Sequence, residues 1–173
     1  MKKKILSLCL LGMSIGLFSC NRGAPIQGTV WVPKYLSKSE ARDIRSKPPQ
    51  AVSSGGKIYA WQDFVFQLES NAGIHVYKLV DQKPQPYKFI QVYGAQELSI
   101  RGNYLYTNNF TDIVTLDISN MDQVLVKSRV ENTFALGTST LPPQQGFFQC
   151  VDTTKGIVVG WEKKNNIEAT CKY

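Results

Sequence analysis

The stretch from Lys57 to Val130 carries one strand pattern twice, about forty residues apart, and this repeat limits the fold more than any other feature of the chain. Ile58 aligns with Leu98, Phe64 with Tyr104, Val65 with Leu105 and Phe66 with Tyr106; after one deletion, GIHVYKLVD lies over DIVTLDISN. Each copy offers four short runs rich in β-branched and aromatic residues, divided by turn formers. In the first copy they are Lys57 to Trp61, Phe64 to Leu68, Ile74 to Val80 and Tyr87 to Val92. In the second they are Glu97 to Arg101, Tyr104 to Asn108, Asp112 to Ser119 and Val124 to Val130. The pairs Gln62-Asp63 and Gly102-Asn103 stand where two-residue hairpin turns are expected, and the second pair suits positive φ. Helical periodicity is missing here. Four strands at a period near forty predict a propeller blade.

Residues 135–173 add three further runs, Gly146 to Val151, Gly156 to Glu162 and Ile167 to Lys172. The expected fold class is therefore all-β: antiparallel propeller-like blades, two repeats in residues 57–134 plus a partial third, open rather than closed. A closed propeller needs at least four blades, and repeat units generally need three or more to bury their faces. An open stack leaves an apolar blade face that calls for a partner, self-association or, if the gene product is truncated, missing blades.

The first residues, MKKKILSLCLLGMSIGLFSC, have three lysines, an apolar run from Ile5 to Phe18 and then a small residue before a cysteine. That is the layout of a secretory signal, with an apolar stretch too short for a comfortable membrane span. Leu17, Phe18, Ser19 and Cys20 resemble the lipobox of bacterial lipoproteins. The resemblance implies a signal peptide over residues 1–19 and Cys20 as the acylated first residue of the mature protein. It also implies a lipid anchor in a bacterial cell envelope, since several acyl chains hold a protein stably where one does not; the outer membrane is favoured over the inner, with the leaflet open. With Cys9 removed and Cys20 lipidated, Cys150 and Cys171 are the remaining thiols in an oxidising compartment and are expected to pair.

Residues 20–56 read as a basic tether. From Asn21 to Lys57 seven basic residues stand against Glu40 and Asp43, whereas from Ile58 onward ten basic face eleven acidic, so the net charge of +7 belongs to the signal and tether. Nucleic acid is excluded as a partner on charge distribution and on location; the membrane is the expected partner through the lipid anchor, and the basic stretch either adds attraction to an anionic surface or is a solvated linker. Ser37 with Glu40 has capping-box spacing and predicts a short helix running to about Ser46, ahead of Pro48 and Pro49.

Ile113, Val114, Thr115, Leu116 and Asp117, followed by Ile118 and Ser119, resemble the LVIVD repeat of propeller-like bacterial envelope lipoproteins. GKIYAWQDFVF, GIHVYKL, RVENTF and KGIVVGWEK also resemble the first part of such proteins, in order. The first copy departs from the motif, with Lys78 where the second has Asp117. Members of that family usually continue with further blades, and the family supplies no catalytic residues to carry over.

No catalytic set is visible. A nucleophile triad requires a histidine beside a serine or cysteine, and the sole histidine, His75, lies in a strand between Ile74 and Val76, where a half-buried structural role is expected. The carboxylates Asp63, Glu69, Asp81, Asp112, Asp122 and Glu131 fall mostly in or beside expected turns, whose chemistry accounts for them. No phosphate loop, dinucleotide fingerprint or calcium loop appears, so no cofactor and no metal is expected. Two cysteines twenty-one positions apart and one histidine cannot supply four zinc ligands without carboxylates from elsewhere. Most aromatic residues occupy strand positions expected to pack blade on blade, while Tyr93 and Phe110, in loops, are the candidates for exposed contacts. Asn109-Phe110-Thr111 matches an N-glycosylation acceptor, and Asp152-Thr153-Thr154 resembles the acceptor triplet of a bacterial O-glycosylation system. The expectation is a non-catalytic binding or scaffold module for a protein or glycan; the alternative is a subunit or fragment of a propeller enzyme acting on glycans.

Overall fold

The computed structural model describes residues 27–134 and 141–173, arranged as three sheets that are open rather than closed. The first repeat forms β3 (Gly55–Trp61), β4 (Phe64–Glu69), β5 (Gly73–Val80) and β6 (Lys83–Gln91), an antiparallel meander. The second forms β7 (Leu98–Arg101), β8 (Tyr104–Asn109), β9 (Asp112–Asp117) and β10 (Leu125–Val130) in the same manner. Both hairpin joints take positive φ at their first residue, 52° at Gln62 and 57° at Gly102.

β6 starts earlier than Tyr87. The Asp81-Gln82 turn has positive φ at both positions, 50° and 60°, which favours immediate pairing of Val80 with Lys83. Pro84 and Pro86 are tolerated because the strand beyond β6, β2 (Arg45–Lys47), reaches only Phe89 to Gln91. The prolines thus lie on a free edge where no ladder donor is required.

Alternation along the strands builds one core between the two repeats. Phe66 and Leu68 of β4, Ile74 and Val76 of β5 and Ile90 of β6 join Leu98 and Ile100 of β7, Leu105 of β8, and Val114 and Leu116 of β9 in a single buried cluster. At the rim, Lys57 and Glu97 occupy equivalent positions of the two repeats and form an exposed ion pair. Nearby, the Tyr59 hydroxyl donates to the Ile100 carbonyl at 3.3 Å.

The third sheet differs from a C-terminal β segment standing alone. Its strand order is β12 (Ile157–Glu168), β1 (Gln27–Leu36), β11 (Phe147–Phe148) and β13 (Cys171–Lys172), so a strand from the expected tether sits at its centre. β1 runs antiparallel to β12 from Gln27 opposite Glu168 to Leu36 opposite Ile157, and pairs in parallel with β11 at Trp31 and Phe148. The expected separate strands Gly156 to Glu162 and Ile167 to Lys172 are largely one long strand, with a register shift that accommodates positive φ at Asn166. The small core of this sheet holds Val30, Phe148 and Val158, with the Trp161 ring edge-on to Phe148 at 5.6 Å.

The tether expectation is corrected accordingly for residues 27–47; Cys20 and the signal lie outside the described residues. The capping box is present, with the Glu40 N–H donating to the Ser37 hydroxyl at 3.2 Å and the Ser37 N–H donating to the Glu40 carboxylate at 2.9 Å. The helix it starts, α1, is a single turn, Lys38–Ala41, because Arg45 to Lys47 are taken into strand pairing with β6.

Candidate functional site

A cleft of about 980 Å³ lies between the outer face of the second repeat and β12. Its floor is built by strand alternation: Leu105 and Thr107 of β8 point into the core, so Tyr104, Tyr106 and Asn108 stand on the opposite face. Phe110, in the β8–β9 turn, and Phe134 extend the floor, and Gly160 and Trp161 of β12 form the facing wall. Ser99, Gln96 and Asn71 bring polar groups to the same space, and the one ionisable carboxylate on it, Glu97, is engaged with Lys57. A shallower hollow continues past Tyr106 to Tyr104, bordered by Arg101 and Asp117. Ser119 donates its hydroxyl and its N–H to Asp117, at 2.7 and 3.0 Å, and these bonds hold that carboxyl below its ordinary pKa.

Tyr104 and Tyr106 depart from the expectation that strand aromatics pack blade on blade. Each keeps 37% of its surface exposed, whereas Phe66 is fully buried and Phe64 and Trp61 pack against the core. The signal that could have found them is the Gly102 turn. A two-residue hairpin sets Arg101 opposite Tyr104 and Ser99 opposite Tyr106, so the polar face of β7 dictates the outward face of β8.

Of the two expected contact residues, Phe110 lines the cleft and Tyr93 does not; both are half-buried rather than exposed. Phe110 has φ of 52°, uncommon for a bulky side chain. Its position is fixed by Gly94, where a Cβ would come within 2.7 Å of the Phe110 ring and backbone nitrogen. Asn108 ties the two together, donating to the Gly94 carbonyl at 2.7 Å and accepting the Gln96 N–H at 2.8 Å.

Behind this turn sits a buried ionic cluster. Asp112, whose side chain is 6% exposed, accepts from Arg129 at 2.7 Å and Arg42 at 3.0 Å through one oxygen, and from the Asn132 N–H at 3.1 Å through the other. Burial would raise its pKa, but the Asn132 N–H, Arg129 and Arg42 together hold it below the ordinary aspartate value. Asn109 completes the cluster, accepting from Arg129 and donating to the carbonyls of Ala41 and Tyr93. At 2% exposure, Asn109 is no N-glycosylation acceptor in the folded protein, whereas Thr153 stands exposed in a 3-10 turn capped by Asp152.

His75 is fully buried rather than half-buried, 3% exposed, on the face of the first repeat turned away from the core. Its Nε2 lies 2.9 Å from Glu69, and the same carboxylate accepts the backbone N–H groups of Ser53 and Ser54. The pair ties Ser53 and Ser54 to the end of β4, and neither His75 nor Glu69 lines the cleft. Burial opposes the Glu69 charge, yet the bonds from His75, Ser53 and Ser54 leave its pKa lowered. Cys150 and Cys171 form a disulfide, as expected, with Cα atoms 5.2 Å apart.

Among the described residues no three His, Cys, Asp or Glu side chains gather as a metal-binding group, and no helix is long and apolar enough to cross a membrane. No family model, curated protein or solved structure matches the chain.

Proposed function

We propose that this chain is a lipid-anchored module of a bacterial cell envelope, akin to the LVIVD-repeat lipoproteins it resembles, that holds a protein or glycan partner and catalyses no reaction itself. The observation that supports this reading best is the cleft, an aromatic and amide-lined surface over an otherwise satisfied fold. Groups with acid or base chemistry are committed elsewhere: His75 and Glu69 to a strap, Asp112 to two arginines. The envelope address rests on the lipobox at Cys20.

A photoreactive amino acid replacing Ser99 in cells should give light-dependent covalent products, absent when the same probe replaces exposed Lys155. Identical patterns at the two positions would count against the cleft as the binding surface. Multiple turnover of envelope glycans by the purified protein would replace this reading with the enzyme one. Cys20→Ala should move the protein from membrane to soluble fractions, and unchanged membrane association would refute the anchor.

A further inference from the structure

We infer that the cleft takes a linear, uncharged oligosaccharide, stacked along the row Tyr104, Tyr106 and Phe110; this deepens the binding-module reading and rests on it. The row follows a single strand. Tyr104 and Tyr106 are two residues apart on one face of β8, hence about 7 Å apart, and the track from Tyr104 to Phe110 extends for about 20 Å. Tyr106 borders both the main cleft and the smaller hollow, so a chain laid along β8 would pass from one to the other across its ring.

Its chemistry selects the ligand class. Sugar rings present an apolar C–H face, which stacks on an aromatic ring, and a rim of hydroxyls, which exchange hydrogen bonds with amides and hydroxyls. The trough supplies both, the rings from Tyr104, Tyr106 and Phe110 with Trp161 opposite, and the polar groups from Ser99, Gln96 and Asn71. Its charged borders balance, Glu97 being paired with Lys57 and Arg101 standing against Asp117, so the trough offers no net positive charge to uronic acids, sulfated or phosphorylated chains.

A peptide fits less well. Extended peptides bind by adding to a free sheet edge, but β8 is paired on both sides by β7 and β9 and offers only side chains. The free edges bordering the cleft are those of β7 and β12, and a peptide seated on the backbone of either would leave the tyrosine row unused.

The test is calorimetric titration of the full lipoprotein in detergent with neutral hexasaccharides (glucose, mannose and xylose chains) and with hexagalacturonate. A neutral chain should bind and the uronic acid should not. Tyr106→Ala should weaken binding by about tenfold, and Tyr106→Phe, which keeps the ring, should retain most of it. Tyr106 is 37% exposed, so Tyr106→Ala also removes some packing, and binding is compared at a temperature where both variants are fully folded by their denaturation curves. Absence of binding by every neutral chain at millimolar concentration overturns the inference, as does tighter binding of hexagalacturonate or indifference to Tyr106→Ala. If all sugars fail while the Ser99 photoprobe captures an envelope protein, the glycan assignment falls and the module reading stands; if both fail, both fall.

Discussion

Replacing Asp112 by alanine isolates the energetic role of the buried cluster behind the cleft. The carboxylate satisfies Arg129, Arg42, the Asn132 N–H and the Thr111 hydroxyl, and the Arg129 side chain is itself only 15% exposed. Removing the acid strands a guanidinium in a poorly solvated position, a loss typically of about 3–5 kcal/mol and far above the worth of the pair against an apolar replacement. Glu131, the other partner of Arg42, is about half exposed, so Glu131→Ala should cost under ~1 kcal/mol. Urea titration with the disulfide intact, followed by circular dichroism, would read both. The double variant Asp112→Leu, Arg129→Met should recover part of the Asp112→Ala loss, because neither charge is then left buried. The sign with pH follows from the lowered pKa: the stabilisation is fully present above the ordinary aspartate value of 3.8 and is lost as pH falls through the lower folded value. A loss under ~1 kcal/mol for Asp112→Ala, or a double variant no more stable than the single, would refute this account.

Glu69→Gln keeps the side chain's shape but faces an amide N–H toward the Ser53 or Ser54 donor, and should cost about 1–3 kcal/mol. The lowered Glu69 pKa makes strap stability present above pH 4.5 and lost on acidification, so exchange of the Ser53 and Ser54 amides should accelerate, relative to β4, as pH falls below that value; equal acceleration throughout would argue against a local strap. Cys150→Ser should destabilise by about 3 kcal/mol in the chain-entropy model for a separation of 21 residues, with hydrogen exchange rising first in β11 and β13. Unchanged exchange in those strands would show that the staple is dispensable.

The repeat was legible because its determinants are local. Seven of the eight strands fall within two residues of their expected ends, since side-chain alternation and turn residues act over two to six positions. The third sheet was not legible, because its pairing joins Val32 to Glu162, and no periodicity in QGTVWVPKYL names a partner that distant. Pro33 also argues against a strand, yet it sits in β1 opposite Trp161, next to the shift between Lys34 and Tyr35, where bulged geometry relaxes the need for a ladder donor.

The same distance explains why the cleft escaped a reading of the sequence. One wall comes from a hairpin whose outward face follows from the Gly102 register, but the other is Gly160 and Trp161, positioned only because β1 holds β12 along its length. Tyr106 therefore has an outward orientation set by its neighbours in sequence and a facing surface set by β1, whose Lys34 and Pro33 pair with Gly160 and Trp161 across 126 and 128 residues. An aromatic row on a lone sheet face is simply exposed; β1 turns it into a trough with two sides. Shortening the hairpin at Gly102 would flip the row inward and abolish the floor, whereas breaking the β1–β12 ladder would leave the floor and remove the wall, so the two perturbations separate stacking from enclosure.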